Sequence, residues 1–321
     1  MPELPEVETI VRGLNRKVVG LKIIDAWTDW PKMIKTHRLD EFGREIKGRK
    51  ILRAHRRAKY IMIDLSGQKT LIIHQKISGH LLYGKWEEAQ SVKRKAQNST
   101  FKSKSKDQSL NAKRSTLNAG QQWVSTIPGP LRDDPQNQYI RFILYLSNDY
   151  MLGLSDVRRF GKVFLGDTDK IENINEIGKL GPEPLDRNFT ITKFKNLMRR
   201  KRGVIKKVLM DPFVIAGIGN IYSDEILWYT GIAPLRMVEE LTDKELAGIY
   251  KNIRFVLKKA IGAKGDSQQD YRTLEGKFGN YQNMQKAYQL TGEKCQKRDG
   301  GVIKRLVIGG RSAHFCPVHQ K

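Results

Sequence analysis

The chain begins Met-Pro-Glu-Leu-Pro-Glu, and three of those residues could do covalent chemistry together. Proline in the second position normally permits removal of the initiator methionine. Pro2 then presents a secondary α-amine. Such amines titrate near ~8, against ~10.4 for lysine, so more of the group is unprotonated at neutral pH. A secondary amine can attack an electrophilic sugar carbon and form an iminium ion. Glu3 is adjacent and Glu6 lies one helical turn away. Two carboxylates beside one amine can help open a sugar ring and take a proton from its neighbour. The same residues also read as a plain helix start, with Pro5 in the first turn and acids favoured by the helix dipole. These residues alone leave both readings open.

Four further clusters carry chemistry, each with a plainer alternative. In AHRRAKY, Arg56, Arg57 and Lys59 suit phosphate contacts, or form a solvated face. In SDVRRFGKV, Arg158 and Phe160 suit a wedge that enters duplex DNA, or are an exposed arginine beside a core aromatic. In FVIAGIGNIYSDEILW, Gly217 and Gly219 allow close backbone approach, and a helix starting near Asn220 offers N–H groups to a phosphate. Lys206 and Lys207 precede that turn by one element; the alternative is an ordinary glycine turn. In the tail, Cys295 and Arg298 have the spacing of a zinc knuckle, and Cys316 and His319 repeat it. Arginine cannot ligate zinc, so three good ligands remain, Cys295, Cys316 and His319, with Asp299 available from a shifted register. A metal-free ribbon held by Val302, Leu306 and Phe315 is the other reading.

The 321 residues carry a formal charge of +25. That balance favours a polyanion, because each phosphate neutralised releases condensed counterions; the alternative is a merely soluble basic protein. Two cysteines argue against a disulfide scaffold. No basic-then-apolar leader opens the chain, and no apolar run approaches the ~20 residues that span a bilayer. The expectation is a cytoplasmic, nucleoid-associated protein.

The elements that must position these residues can be read from periodicity. Val7, Ile10, Val11, Leu14 and Val18 recur at helical spacing, with Gly20 as the stop. The pieces LKIIDAW, KTLIIHQKI, YIRFILYLS, YMLGLSDV and KVFL read as strands, so with one packed helix this half predicts a β-sandwich or barrel. Residues 87–121 are polar and basic without apolar period, which predicts a disordered insert. GPEPLDRNFT has linker composition. Beyond it Phe194, Leu197, Val204, Val208 and Leu209, then Leu241, Leu246, Ile249, Ile253 and Leu257, predict helices. The fold class is α+β in several domains: a catalytic β-sandwich over 1–170, a linker over 171–187, a helical DNA-binding domain over 188–284, and a zinc-ribbon-like finger over 285–321.

Together these motifs resemble the Fpg/Nei family of bifunctional DNA glycosylases, on the formamidopyrimidine-DNA glycosylase branch. The resemblance rests on PELPEVET, HRRAKY, DVRRFGK, LGPEPL, AGIGNIYSDEILW and GGRSAHFCPV, in that order along nearly the whole chain. Leu4 fits this branch, since the Nei branch usually has glycine there. The resemblance implies a helix–two-turn–helix domain and a base-excision-repair enzyme acting on double-stranded DNA with oxidised purines or abasic sites, as a monomer. By that resemblance Pro2 is the nucleophile, Glu3 the acid/base, Glu6 a supporting acid and Lys59 a catalytic lysine near the lesion phosphate. Arg158 and Phe160 fill the gap left by the flipped nucleotide, and Ile77 stands where a third wedge residue, methionine, is common. His74 is placed with the DNA-binding residues. Asn220 and Arg311 match phosphate ligands, Lys206 a phosphate or lesion contact, and Glu225 an acid at the pocket edge. Arg141 stands where a histidine is common, and an arginine there is still expected to bind phosphate. The finger lacks its second cysteine, at Arg298, and has His319 for its fourth. SQQDYRTLEGKFGNYQ occupies the lesion-capping loop, so base preference is the least transferable feature. A catalytically silent binder of damaged DNA with the same fold is the alternative; retention of Pro2, Glu3, Glu6 and Lys59 disfavours it.

Overall fold

The computed structural model describes residues 1–89 and 123–321. From residue 90 onward the expected basic insert lies outside them. Its first two residues, Glu87 and Glu88, belong instead to a short strand.

Helix α1 (Leu4–Lys17) starts with Pro5 in its first turn, where a missing N–H costs nothing. Val7, Ile10, Val11 and Leu14 line one buried face, and the chain turns away at Gly20, with φ 91°. The expected single apolar face is incomplete as a description. Leu4 packs into a different core from the other four, among Phe194, Ile218 and Tyr222. The helix therefore joins two hydrophobic cores at its first turn.

The β-rich half contains two four-stranded antiparallel sheets. One has the order β1 (Ile23–Thr28), β8 (Ile140–Leu146), β9 (Met151–Ser155), β5 (His80–Gly84). The other has the order β10 (Lys162–Asp167), β4 (Lys69–His74), β3 (Tyr60–Leu65), β2 (Ile51–Arg57). Ile61, Ile63, Leu71 and Ile73 of one sheet share a core with Phe142, Leu144, Leu152 and Leu154 of the other, and α1 adds its face. A short pair, β6 (Trp86–Glu88) with β7 (Trp123–Ser125), flanks the first sheet. Helix α2 (Leu39–Ile46) buries only Phe42 and Ile46, too few apolar residues for a periodic signal in the sequence.

The helical half contains α3 (Ile191–Arg199), α4 (Ile205–Met210), α5 (Asn220–Thr230) and α6 (Asp243–Gly262). Thr242 caps α6, and the Glu245 carboxylate accepts from the Thr242 N–H at 2.7 Å, so two otherwise unpaired donors are satisfied. The tail forms a hairpin of β11 (Lys304–Ile308) and β12 (Arg311–Phe315). Gly309 and Gly310 both take positive φ, as a two-residue hairpin turn requires. The residue that seals this ribbon is Ile303, with Val302 facing solvent. Ile303, Cys295 and Cys316 pack on Trp228 of α5. Among the described residues no helix is long and apolar enough to cross a membrane.

Candidate active site

The amino end of the chain is built into the turn before α5. The Leu4 N–H donates to the Gly217 carbonyl at 3.0 Å. Gly217 has φ 88°, and a Cβ there would lie 2.8 Å from the Leu4 side chain, so only glycine fits. One residue earlier, the Glu3 carboxylate accepts from the N–H groups of Gly219 (2.6 Å) and Ile221 (3.0 Å) at the positive end of α5. Glu6 reaches back to the Glu3 N–H at 2.7 Å. It also accepts from the Tyr222 hydroxyl and the Asp266 N–H. Burial, and then the nearby Glu3 charge, push Glu6 up to about 7. The α-amine of the chain end is held below its ordinary value by burial, against the opposing pull of Glu3 and Glu6. Pro2 is buried, while Met1 lines the cavity described below.

Lys59 stands in the two-residue turn between β2 and β3, whose first residue, Ala58, takes φ 52°. A left-handed alanine is unfavourable and must be held by its surroundings. Glu183 supplies the hold: its carboxylate accepts from the Ala58 N–H (2.5 Å), Arg56 (2.6 Å) and Arg57 (3.2 Å). Arg56 also pairs with Glu8, and Arg57 donates to the Leu180 carbonyl. The expected phosphate role of Arg56 and Arg57 is thus corrected, because both are spent on the clamp. The linker-like GPEPL segment is that clamp. Burial lowers the Lys59 ammonium from its ordinary range, more than Glu3 and Glu6 raise it.

A cavity of about 610 Å³ joins these parts. Glu3, Lys59, His74, Ile77, Asn220 and Arg311 all line it, although they come from α1, two hairpins, a loop, α5 and the finger. His74 is buried beside Lys76, Lys59 and Lys162; desolvation first and those charges second keep its imidazole well below the ordinary range. Arg158 and Phe160 lie outside the cavity on the exposed loop before β10, where Phe160 is 52 % exposed. Asp156 organises that loop, accepting from the Ser78 hydroxyl (2.5 Å) and the N–H groups of Arg158 (3.3 Å) and Gly161 (2.7 Å). Since Ser78 follows Ile77, the same carboxylate ties the Ile77 loop to the Arg158–Phe160 loop.

Three residues expected at the site, two as phosphate contacts and Glu225 as a pocket-edge acid, are turned inward. Lys206 is completely buried and ion-paired with Asp224. Glu225 is completely buried, not at a pocket edge, and accepts from the N–H groups of Lys286, Ala287 and Tyr288 at 2.9–3.0 Å. Arg141 pairs with Asp29 at 2.8 Å. A lysine buried with an aspartate cannot present its ammonium to a phosphate. The sequence reading missed Asp156, Glu183 and Asp224. Each is a buried or half-buried acid with a partner in another element, Ser78 for Asp156, Arg56 and Arg57 for Glu183, and Lys206 and His314 for Asp224, and local spacing does not reveal those contacts.

In the finger, Cys295, Asp299, Cys316 and His319 each aim one ligand atom into a common point, all within 4.8 Å of one another. The expected knuckle position, Arg298, is bypassed, and Asp299 completes the set. The His319 Nε2 faces the Trp228 carbonyl at 3.1 Å, which leaves Nδ1 as the lone-pair nitrogen toward the other three. Two thiols, a carboxylate and an imidazole in this arrangement fit a tetrahedral metal ion.

The amino-terminal part matches the formamidopyrimidine-DNA glycosylase N-terminal domain over residues 1–163, and the helical part matches the H2TH domain of the same enzymes over 180–272. The chain is 36 % identical to the formamidopyrimidine-DNA glycosylase of Pelotomaculum thermopropionicum, covering 100 % of this chain and 99 % of that protein. It is 34 % identical to that of Herpetosiphon aurantiacus, over all of both. Among solved structures, Lactococcus lactis Fpg in complex with DNA containing an abasic site is similar at a TM-score of 0.78 and 30 % identity, over 99 % of both chains. MutM in complex with DNA containing carbocyclic 8-oxo-G is similar at 0.78 and 29 %, over 100 % of both. The shared architecture, and a site assembled from motifs that run the length of the chain, place this protein in the formamidopyrimidine-DNA glycosylase family of DNA-repair enzymes.

Proposed function

We propose that this protein removes oxidised purines, such as 8-oxoguanine and formamidopyrimidine, from double-stranded DNA and then cleaves the strand at the abasic site. The observation that carries this reading is the convergence of the chain's amino end, Glu3 and Lys59 on one cavity whose wall also holds Asn220 and Arg311. After removal of Met1, the Pro2 nitrogen attacks the anomeric carbon and the base departs. Glu3 delivers the proton that lets the sugar ring oxygen leave, and an iminium ion forms. Loss of the adjacent sugar proton expels the 3′ phosphate, and a second elimination expels the 5′ phosphate. Lys59, Asn220 and Arg311 bind the phosphates flanking the lesion. Ile77, Arg158 and Phe160 fill the stack vacated by the flipped nucleotide, offsetting a cost of about a few kcal/mol. Zinc at Cys295, Asp299, Cys316 and His319 would brace the finger.

Borohydride reduction tests the mechanism. The processed protein, incubated with an 8-oxoguanine duplex and borohydride, is expected to form a covalent adduct. Chain that retains Met1 or carries an amino-terminal tag should bind the duplex without forming it. Absence of adduct from the processed protein, or an undiminished adduct from Pro2→Gly, overturns the proposal.

A further inference from the structure

Lys206 and Asp224 form a fully buried ion pair with no access to the cavity. The second Asp224 oxygen accepts from the His314 backbone N–H and faces the His314 Nδ1, both at 3.0 Å. Asp224 lies one turn along α5 from Asn220, and His314 lies three residues along β12 from Arg311. Each partner therefore sits on the same rigid element as one of the two phosphate-binding candidates. Glu225, the next residue on α5, holds the backbone of residues 286–288 at the start of the finger. The finger is thus docked on α5 at two points by two consecutive acids, and Lys206 neutralises one of them.

We propose that Asp224, supported by Lys206 and His314, is a positioning residue that sets the separation of Arg311 from Asn220, so that the guanidinium and the amide of this wall grip one phosphodiester. A buried carboxylate accepting bonds from a strand's backbone fixes that strand in register, which a flexible surface pair would not do. Lys206 contributes through Asp224 and touches no DNA. This inference rests on the reading of the cavity as a lesion-DNA site.

The test is a double-mutant cycle on binding to a duplex with a tetrahydrofuran abasic analogue, read as affinity against salt concentration. Replacing Asp224 alone strands a buried ammonium, so the paired variant Lys206→Met/Asp224→Asn is used, with His314→Phe as a second variant that leaves the ion pair intact. Arg311→Ala is expected to weaken binding about tenfold or more, the loss of a hydrogen bond to a charged group, and to lower the salt slope by about one. Each positioning variant should weaken binding to a similar extent in the unaltered background and add nothing in the Arg311→Ala background. An undiminished affinity, or equal losses in both backgrounds, overturns the positioning role while leaving the site intact. If the unaltered protein binds the abasic-analogue duplex no better than intact duplex, the reading of the cavity falls, and this inference with it.

Discussion

The Glu3 carboxylate accepts a 2.6 Å hydrogen bond from the N–H of Gly219, a residue 216 positions away. That contact ties the amino end of the chain, on the sandwich side, to the first turn of α5 in the helical half. A Cβ on Gly219 would stand 2.5 Å from the Glu3 carboxyl and 2.7 Å from Lys59 Nζ. Glycine is required here by crowding, since Gly219 is not among the glycines with positive φ.

Gly219→Ala should therefore fold normally and bind lesion DNA, with turnover reduced on the order of 10²-fold, the usual effect of a displacement near 1 Å in reacting groups. Single-turnover cleavage beside a binding titration checks this. Turnover within threefold of the unaltered protein would show that Glu3 can be displaced without consequence.

Glu183→Ala should loosen the Lys59 turn. It strands Arg56, whose side chain is 9 % exposed, with Glu8 as its remaining acidic partner. The expected loss is about 2–3 kcal/mol of stability in urea unfolding, the cost of breaking a largely buried charged network. Turnover should fall further than stability explains, because Ala58 then relaxes from φ 52° and carries Lys59 with it.

Glu6 makes stability depend on pH. Its pKa is raised from 4.5 to about 7 in the folded chain. The folded state therefore binds more protons than the unfolded state between those values. Its contribution is fully present below pH 4.5 and is lost as pH rises through about 7. Relative to Glu6→Gln, the unaltered protein should lose stability on the order of 3 kcal/mol across that window. Urea midpoints at several pH values measure it; parallel curves for the two proteins would remove Glu6 as the source.

The finger should take up one zinc ion per chain, and chelation should lower the unfolding temperature. For a metal present at 100–1,000 times its Kd the stabilisation removed is about 3–4 kcal/mol. Asp299→Ala should lose zinc on dialysis against a competing chelator, while Arg298→Ala should keep it. Cobalt substitution should give the charge-transfer absorption of two thiolate ligands. Full zinc retention by Asp299→Ala would exclude the carboxylate from the set.

Much of the architecture was legible in the chain itself. The period of Val7, Ile10, Val11 and Leu14, the short β-branched strands and the period of Leu246, Ile249, Ile253 and Leu257 are local patterns, set by which faces must leave water. The candidates Pro2, Glu3 and Lys59, and the turn at Gly217 to Asn220, each kept a plainer reading when taken alone, and stood out only through the family resemblance of the motifs in their order along the chain. The charge of +25 pointed to a polyanion before any element was placed.

The tertiary structure decided what each charge is for. Lys206, Arg56, Arg57 and Arg141 look like phosphate ligands in sequence, yet each meets an acid distant in the chain, Asp224, Glu183 or Asp29. Lys59, Asn220 and Arg311 instead reach the cavity. Composition fixes how many cations a chain has; burial and long-range pairing decide which remain to meet a ligand, because desolvating a charge without a partner costs more than folding can supply. Asp299 shows the same rule in the finger. The sequence offers it only as an alternative to Arg298 in a shifted register, and the folded ribbon brings its carboxylate to the two thiols and His319.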